Sequence, residues 1–122
     1  MAELVLFEDN RATRDLLSMY LARNGHQVRP FTGEEDPRLL LTRAPADLIL
    51  LDLDLGRVNG ADLLRQLRQL PAPFNRIPIL ILTGASAEQV QCLNLAADGY
   101  ILKMCTADEV LHQINQFLVR HR

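Results

Sequence analysis

Four short apolar runs in this chain are each followed at once by a residue able to do chemistry. Glu8-Asp9 follows Leu4-Val5-Leu6-Phe7, and Asp52 follows Leu48-Ile49-Leu50-Leu51. Thr83 follows Ile79-Leu80-Ile81-Leu82, and Lys103 follows Tyr100-Ile101-Leu102. Taken singly each is ordinary: Asp9 or Asn10 can cap a helix, Asp52 can turn the chain, Thr83 can end a strand, and Lys103 can be a solvated cation. Brought together, three carboxylates, a hydroxyl and an ammonium suit phosphoryl transfer. Clustered carboxylates repel one another and attract a hard cation such as Mg²⁺, which takes one or a few carboxylates, a backbone carbonyl and water. A bound metal keeps Asp52 ionised and neutralises an incoming phosphoryl group. Lys103 offers a mobile point charge to a second phosphoryl oxygen and Thr83 a hydroxyl to a third. Asp52 is then the nucleophile, forming an acyl phosphate by chemistry that needs mainly positioning and charge stabilisation.

Convergence requires that the runs be strands of one parallel sheet, and the segments between them read accordingly. Asn10 to about Asn24 has helical spacing, with Leu16, Leu17, Tyr20 and Leu21 on one face and Gly25 as the stop. His26 to Arg29 is a weak second strand. Asp36 and Pro37 open a short helix to about Arg43, closed by Pro45. Leu53 to Asn59 reads as a loop and Ala61 to Leu70 as a helix, after which Pro71, Pro73 and Pro78 mark an irregular exit. Ser86 and Gln89 form a capping box for a helix to about Ala97. Thr106 and Glu109 form another, ahead of the stripe Ala107, Val110, Leu111, Ile114, Phe117 and Leu118. Strand and helix alternate throughout, which predicts an α/β fold. The expected form is a flavodoxin-like, doubly wound (βα)5 unit whose five-stranded parallel sheet has the order 2-1-3-4-5. In that order the first, third, fourth and fifth strands are contiguous, so the residues after them share one sheet edge.

The totals narrow the function classes. A length of 122 residues, 48% hydrophobic and 23% charged, predicts a single domain over 1–122 with an ordinary core. A formal charge of −2 gives no reason to expect direct nucleic-acid binding or an anionic membrane as partner. No apolar run approaches the length of a membrane span, and the Met1-Ala2-Glu3 start has no basic n-region, so a cytoplasmic protein without signal peptide is expected. Cys92 and Cys105 lack metal spacing, and His26, His112 and His121 are scattered.

The chain resembles the receiver domain of two-component response regulators over essentially its full length. The matching pieces are Leu6-Phe7-Glu8-Asp9-Asn10, Asp47-Leu48-Ile49-Leu50-Leu51-Asp52, Asn59-Gly60, Ile79-Leu80-Ile81-Leu82-Thr83-Gly84 and Asp98-Gly99-Tyr100-Ile101-Leu102-Lys103. The resemblance implies that Asp52 accepts a phosphoryl group from a histidine kinase or a histidine phosphotransfer protein. It implies that Glu8, Asp9, Asp52 and the backbone carbonyl of Asp54 organise Mg²⁺, and that Thr83 and Lys103 engage the phosphoryl oxygens. Tyr100 matches the aromatic residue that, with Thr83, switches on activation. The implied output surface is the fourth helix, fifth strand and fifth helix, facing an unnamed downstream protein or a second copy of the chain. On this reading the chain is no enzyme beyond catalysing its own phosphorylation and dephosphorylation.

Several residues depart from the pattern. Met104 stands where the family usually has a cis proline. Since a non-proline cis bond costs about 2.5–4 kcal/mol, a trans Lys103–Met104 bond is expected. Gly56 stands where the family often has proline, which loosens the loop after Asp52. Asp54 adds a further acid near the site, and Ala96 replaces a helix-ending glycine, extending the fourth helix. Leu95 and Cys92 lie off the stripe of Val90, Leu93 and Ala97, so Leu95 is a candidate partner contact. Two other readings compete. Met104 and Gly56 favour a pseudo-receiver, a protein-interaction module that does not switch by phosphorylation, whereas Asp9, Asp52, Thr83 and Lys103 oppose it. Asp52-Leu53-Asp54 also matches the D-x-D of haloacid-dehalogenase-type phosphatases, but it follows the third strand instead of the first.

Overall fold

The computed structural model describes residues 2–84, 96–102 and 106–120. Its elements in chain order are β1 (Glu3–Phe7), α1 (Arg11–Arg23), β2 (Gln27–Phe31), a 3-10 turn (Pro37–Thr42), β3 (Leu48–Asp52), β4 (Asp54–Leu55), β5 (Val58–Asn59), α2 (Gly60–Arg68), a 3-10 turn (Phe74–Arg76), β6 (Ile79–Thr83), β7 (Gly99–Leu102) and α3 (Ala107–Arg120). The main sheet is parallel in the order β2-β1-β3-β6-β7, which is the expected 2-1-3-4-5 once the small β4–β5 ribbon is set aside. No helix among the described residues is long and apolar enough to cross a membrane.

The sheet is covered on both faces because its central strands β3 and β6 are apolar up to their last residue. All residues of β3 and β6 are buried. Alternate side chains feed two cores. Val5, Phe7, Ile49, Leu51, Ile79 and Ile81 pack with Leu63, Leu64 and Leu67 of α2 and with Leu40. Leu4, Leu6, Leu48, Leu50, Leu80, Leu82 and Ile101 pack with Leu17 and Leu21 of α1 and with Val110, Leu111 and Ile114 of α3. The stripe expected on the last helix is therefore the face it buries. The edge strands are partly open, and Pro30, which has no N–H to give a ladder, sits in edge strand β2.

Helix ends follow the capping residues. Asn10 Oδ1 accepts from the Thr13 N–H at 3.0 Å, and Gly25 takes a φ of 94° just past α1. Thr106 Oγ1 accepts from the Glu109 N–H at 3.2 Å, as the capping box predicts. Asn59 Oδ1 accepts from Ala61 and Asp62 at the start of α2, one residue earlier than expected.

The structure corrects four expectations. Leu16 is not on the buried face of α1; it is 60% exposed, because the sheet covers only the arc of Leu17 and Leu21. The helix expected at Pro37 is a 3-10 turn. The turn spans six residues, Pro37–Thr42, too few to propagate an α-helix, and the Asp36 cap bonds the Arg38 N–H two residues on. The loop from Leu53 to Asn59 contains the β4–β5 ribbon. Ala96 and Ala97 are not helical, so no extension of a helix over Ala96 is present. The rest of that expected helix, with Ser86, Gln89, Val90, Cys92, Leu93 and Leu95, lies outside the described residues, as do Lys103, Met104 and their peptide bond.

One side chain does more for the sheet's N-terminal edge than its sequence context suggests. The Arg68 guanidinium, at the end of α2, donates to the carbonyls of Ala96 (2.9 Å), Asn75 (3.1 Å) and Ile77 (2.7 Å) and to Asp98 Oδ2 (2.9 Å). Asp98 Oδ2 in turn accepts from the Ile79 N–H at 2.8 Å. A planar fork fits four acceptors in a way a lysine cannot. Arg68→Ala is expected to lower the unfolding free energy by about 2 kcal/mol, and Arg68→Lys to recover only part of it. Urea denaturation measures both, and an unchanged midpoint in Arg68→Ala would remove this clamp from the account.

Candidate functional site

The site forms where β1 and β3 stop. Phe7 pairs in register with Leu51, so the acids that come next emerge side by side at the C-terminal edge of the sheet. That edge is where open parallel sheets place ligands. Glu8, Asp9 and Asp52 each offer a carboxylate oxygen, and these oxygens lie within 4.8 Å of one another. Glu8 and Asp52 are buried, whereas Asp9 is exposed. Three acids this close suit a hard divalent cation with oxygen ligands, so the donor set fits Mg²⁺.

Backbone contacts fix the acids. The Asp54 N–H donates to Asp52 Oδ1 at 2.9 Å, setting the rotation of that carboxylate. The Glu8 N–H donates to the Phe31 carbonyl at 2.9 Å, continuing the ladder of β1 with β2. One turn into α1, Arg14 Nη1 donates to the carbonyls of Glu8 (3.0 Å) and Asp9 (3.3 Å), holding the acidic turn from outside. Sequence reading missed Arg14. The signal for it is a basic residue one turn into a helix that directly follows an acid pair.

The other expected site residues fall around this centre. Asp52 pairs in register with Leu82 on β6, and Thr83 comes next and is buried. Thr83 pairs with Leu102, the residue before Lys103, while Lys103 itself lies outside the described residues. Tyr100 sits opposite Ile81 on β7 and is 38% exposed. The Asp54 side chain is exposed and takes no part in the group of three acids.

Three glycines permit contacts that a side chain would block. A Cβ on Gly60 would lie 2.6 Å from Leu53 Cα and O and 2.7 Å from Asp52 O, so α2 starts directly against the Asp52–Leu53 peptide. At Gly33, with φ +103°, it would lie 2.8 Å from Leu55 Cδ1, and at Gly56, with φ +66°, 2.8 Å from Asp9 Oδ2. Leu55 and Gly56 belong to the ribbon after Asp52, so the chain beyond β2 and the chain beyond β3 grip each other beside the acids. Asp9, Thr32, Glu34, Leu55, Gly56 and Arg57 line an adjoining cleft of about 270 Å³.

Glu35 keeps Gly33 in place. Its carboxylate accepts from the Thr32 N–H (2.9 Å), the Gly33 N–H (2.9 Å) and the Thr32 hydroxyl (3.0 Å). Burial pushes the Glu35 carboxyl up, but these bonds, with one from its own N–H, more than offset that and hold it below the usual glutamate range. A group with a depressed folded-state value gives stability that is present above its unfolded value and lost as pH falls through the folded one. The stability difference between the wild type and Glu35→Gln is therefore expected to be full near neutral pH and to close below about pH 4, read from urea midpoints. A difference that persisted at pH 3 would contradict this role. Gly60→Ala, which forces a methyl against backbone, is expected to cost about 1–3 kcal/mol in the same measurement, and a neutral result would show that the Asp52–Leu53 peptide has room to move.

The family profile of the response regulator receiver domain matches residues 4–115. The phosphate regulon transcriptional regulatory protein PhoB of Rhizobium meliloti is 31% identical over 98% of this chain and 53% of its own length. The chain spans about half the length of the curated relatives it matches. The phosphorylated cyanobacterial phytochrome response regulator RcpA superposes with a TM-score of 0.81 at 26% identity, covering 99% of this chain and 96% of RcpA. A response regulator from Burkholderia pseudomallei with a phosphorylated aspartic acid, calcium ion and citrate gives a TM-score of 0.74 at 26% identity, over 91% of this chain and 65% of that protein.

Proposed function

The chain belongs to the response regulator receiver domain family of two-component signalling, and from that premise we propose that it is a phosphoacceptor whose nucleophile is Asp52. The observation that carries the proposal is the trio Glu8, Asp9 and Asp52, with carboxylate oxygens within 4.8 Å at the C-terminal edge of the sheet. A carboxylate oxygen of Asp52 attacks phosphorus, the bond to the donor's leaving group breaks, and an acyl phosphate forms; water later cleaves it and restores the carboxylate. The bond from the Asp54 N–H to Oδ1 holds the carboxylate in one orientation for that attack. Glu8, Asp9, Asp52 and the Asp54 carbonyl would hold Mg²⁺, which supplies neutralisation of the clustered acids and of the incoming phosphoryl oxygens. Thr83, at the end of β6, gives its hydroxyl to one phosphoryl oxygen, and Lys103 its ammonium to another.

The phosphodonor in this proposal is a histidine kinase or histidine phosphotransfer protein in the cytoplasm. Chemistry is limited to the chain's own phosphorylation and dephosphorylation. Burial of Thr83 beside edge strand β7, whose Tyr100 and Leu102 are exposed, supports a readout on that side of the sheet. The downstream partner is a protein that docks there, or a second copy of the chain. PhoB, a transcriptional regulatory protein of about twice this length, supports the same switch role within a longer regulator.

Incubation with Mg²⁺ and acetyl phosphate tests the proposal by intact mass. The expected result is one phosphoryl adduct, absent without Mg²⁺ and absent in Asp52→Asn. No adduct and no response to beryllofluoride would replace the proposal with the pseudo-receiver reading. Sustained turnover of a phosphomonoester would replace it with a phosphatase.

A further inference from the structure

We propose that Gly56 is a positioning residue for the Asp9 carboxylate and thereby sets the affinity of the acidic site for Mg²⁺; this rests on the receiver reading above. Of the three acids, Glu8 and Asp52 are buried, so the interior fixes them. Asp9 is exposed and needs some other restraint to stay with its neighbours.

The restraint is the tip of the β4–β5 ribbon. Asp54 pairs with Asn59 and Leu55 with Val58, which leaves Gly56 and Arg57 as a two-residue hairpin turn. Such turns take a positive φ at the first central position, and Gly56 has φ +66°. The α-carbon there lies so close to Asp9 that a Cβ would be 2.8 Å from Oδ2. The bare glycine is thus the wall against which Asp9 rests, on the side where both residues line the cleft. An L-side chain at position 56 displaces the Asp9 carboxylate from the place it holds beside Glu8 and Asp52. The proline common at this position in the family would need φ near −65°, the opposite sign, so this chain reaches the same neighbourhood by another backbone path. Leu55 is buried and pressed by Gly33, so the ribbon cannot easily retreat to make room.

Backbone strain and the contact with Asp9 can be separated. Gly56→Ala suffers both. Gly56→Asn tolerates the left-handed conformation but still carries a Cβ. Gly25→Ala is the control: its φ is +94°, yet a Cβ there meets nothing within 4 Å. Mg²⁺ affinity is measured by titration calorimetry on each folded protein, with urea midpoints taken in the absence of metal. Both Gly56 variants are expected to bind Mg²⁺ about tenfold more weakly or worse, the size seen when groups that orient metal ligands are lost. Gly56→Asn is expected to regain stability relative to Gly56→Ala without regaining affinity. Gly25→Ala is expected to lose stability and keep wild-type affinity. Wild-type affinity in either Gly56 variant, or weakening in Gly25→Ala equal to theirs, overturns the inference while leaving the receiver reading in place. A wild-type protein that binds no Mg²⁺ overturns both.

Discussion

The structure depends on one unfavourable arrangement: three acids held within 4.8 Å, two of them out of contact with water. At an effective dielectric of about 20, two ionised carboxylates at that separation repel by roughly 3–4 kcal/mol. Folding alone gives no reason to bring them together, and a protein optimised for stability would separate them or replace one by an amide. The arrangement fits the divalent-cation site of the proposed function. The remaining local features hold the acids in place against their repulsion. Arg14 pins the carbonyls of Glu8 and Asp9, and the Asp54 N–H compensates one oxygen of Asp52.

Rigidity around the acids comes from close backbone approach. Gly33, Gly56 and Gly60 each stand where a Cβ would be 2.6–2.8 Å from a neighbour. Those neighbours are Leu55, Asp9 and the Asp52–Leu53 peptide, so all three contacts converge on the chain just after Asp52 or on the acid facing it. The absence of a side chain at these three positions lets the connections approach one another closely. Glu35 extends the same framework outward by tying down the turn that carries Gly33.

Much of the fold was legible because its central strands are apolar up to their last residue and its helices start at Asn and Thr caps. The site was legible for a related reason: in a parallel sheet, whatever follows each strand must meet at one edge, so position in the chain stood in for position in space. The failures also have physical causes. Leu16 and Leu17 are adjacent on the helix, and only the width of the surface that α1 faces decides which is buried. The β4–β5 ribbon is too short to have a hydrophobic period, and its stabilising contact, Gly33 on Leu55, links residues far apart in sequence. Arg68 looks like an ordinary exposed helix residue until the four acceptors around it are brought together by the fold. The sign of φ at Gly56 is a property of the ribbon, so its relation to Asp9 could not be read from the glycine alone.

The two sides of Asp52 are built differently, and this asymmetry bears on how a phosphoryl group there would be sensed. On the β1 side the chain is clamped by glycine contacts, a stacked Phe7–Phe31 pair at 5.3 Å and the Glu35-held turn. Little can move there without unpacking the core. On the other side lies β6, buried throughout, with Thr83 at its end, and next to it in the sheet edge strand β7. β7 alternates buried Ile101 with exposed Tyr100 and Leu102, and Leu102 is the register partner of Thr83. A pull on the Thr83 hydroxyl toward Asp52 thus meets a clamped wall on one side and, on the other, an edge strand whose Tyr100 and Leu102 are 38% and 45% exposed. In the proposed receiver role, a change at Asp52 would therefore be read at the Tyr100–Leu102 edge and away from the acidic turn. Under the proposed function, the acid-bearing side keeps its geometry while the β7 side carries the readout.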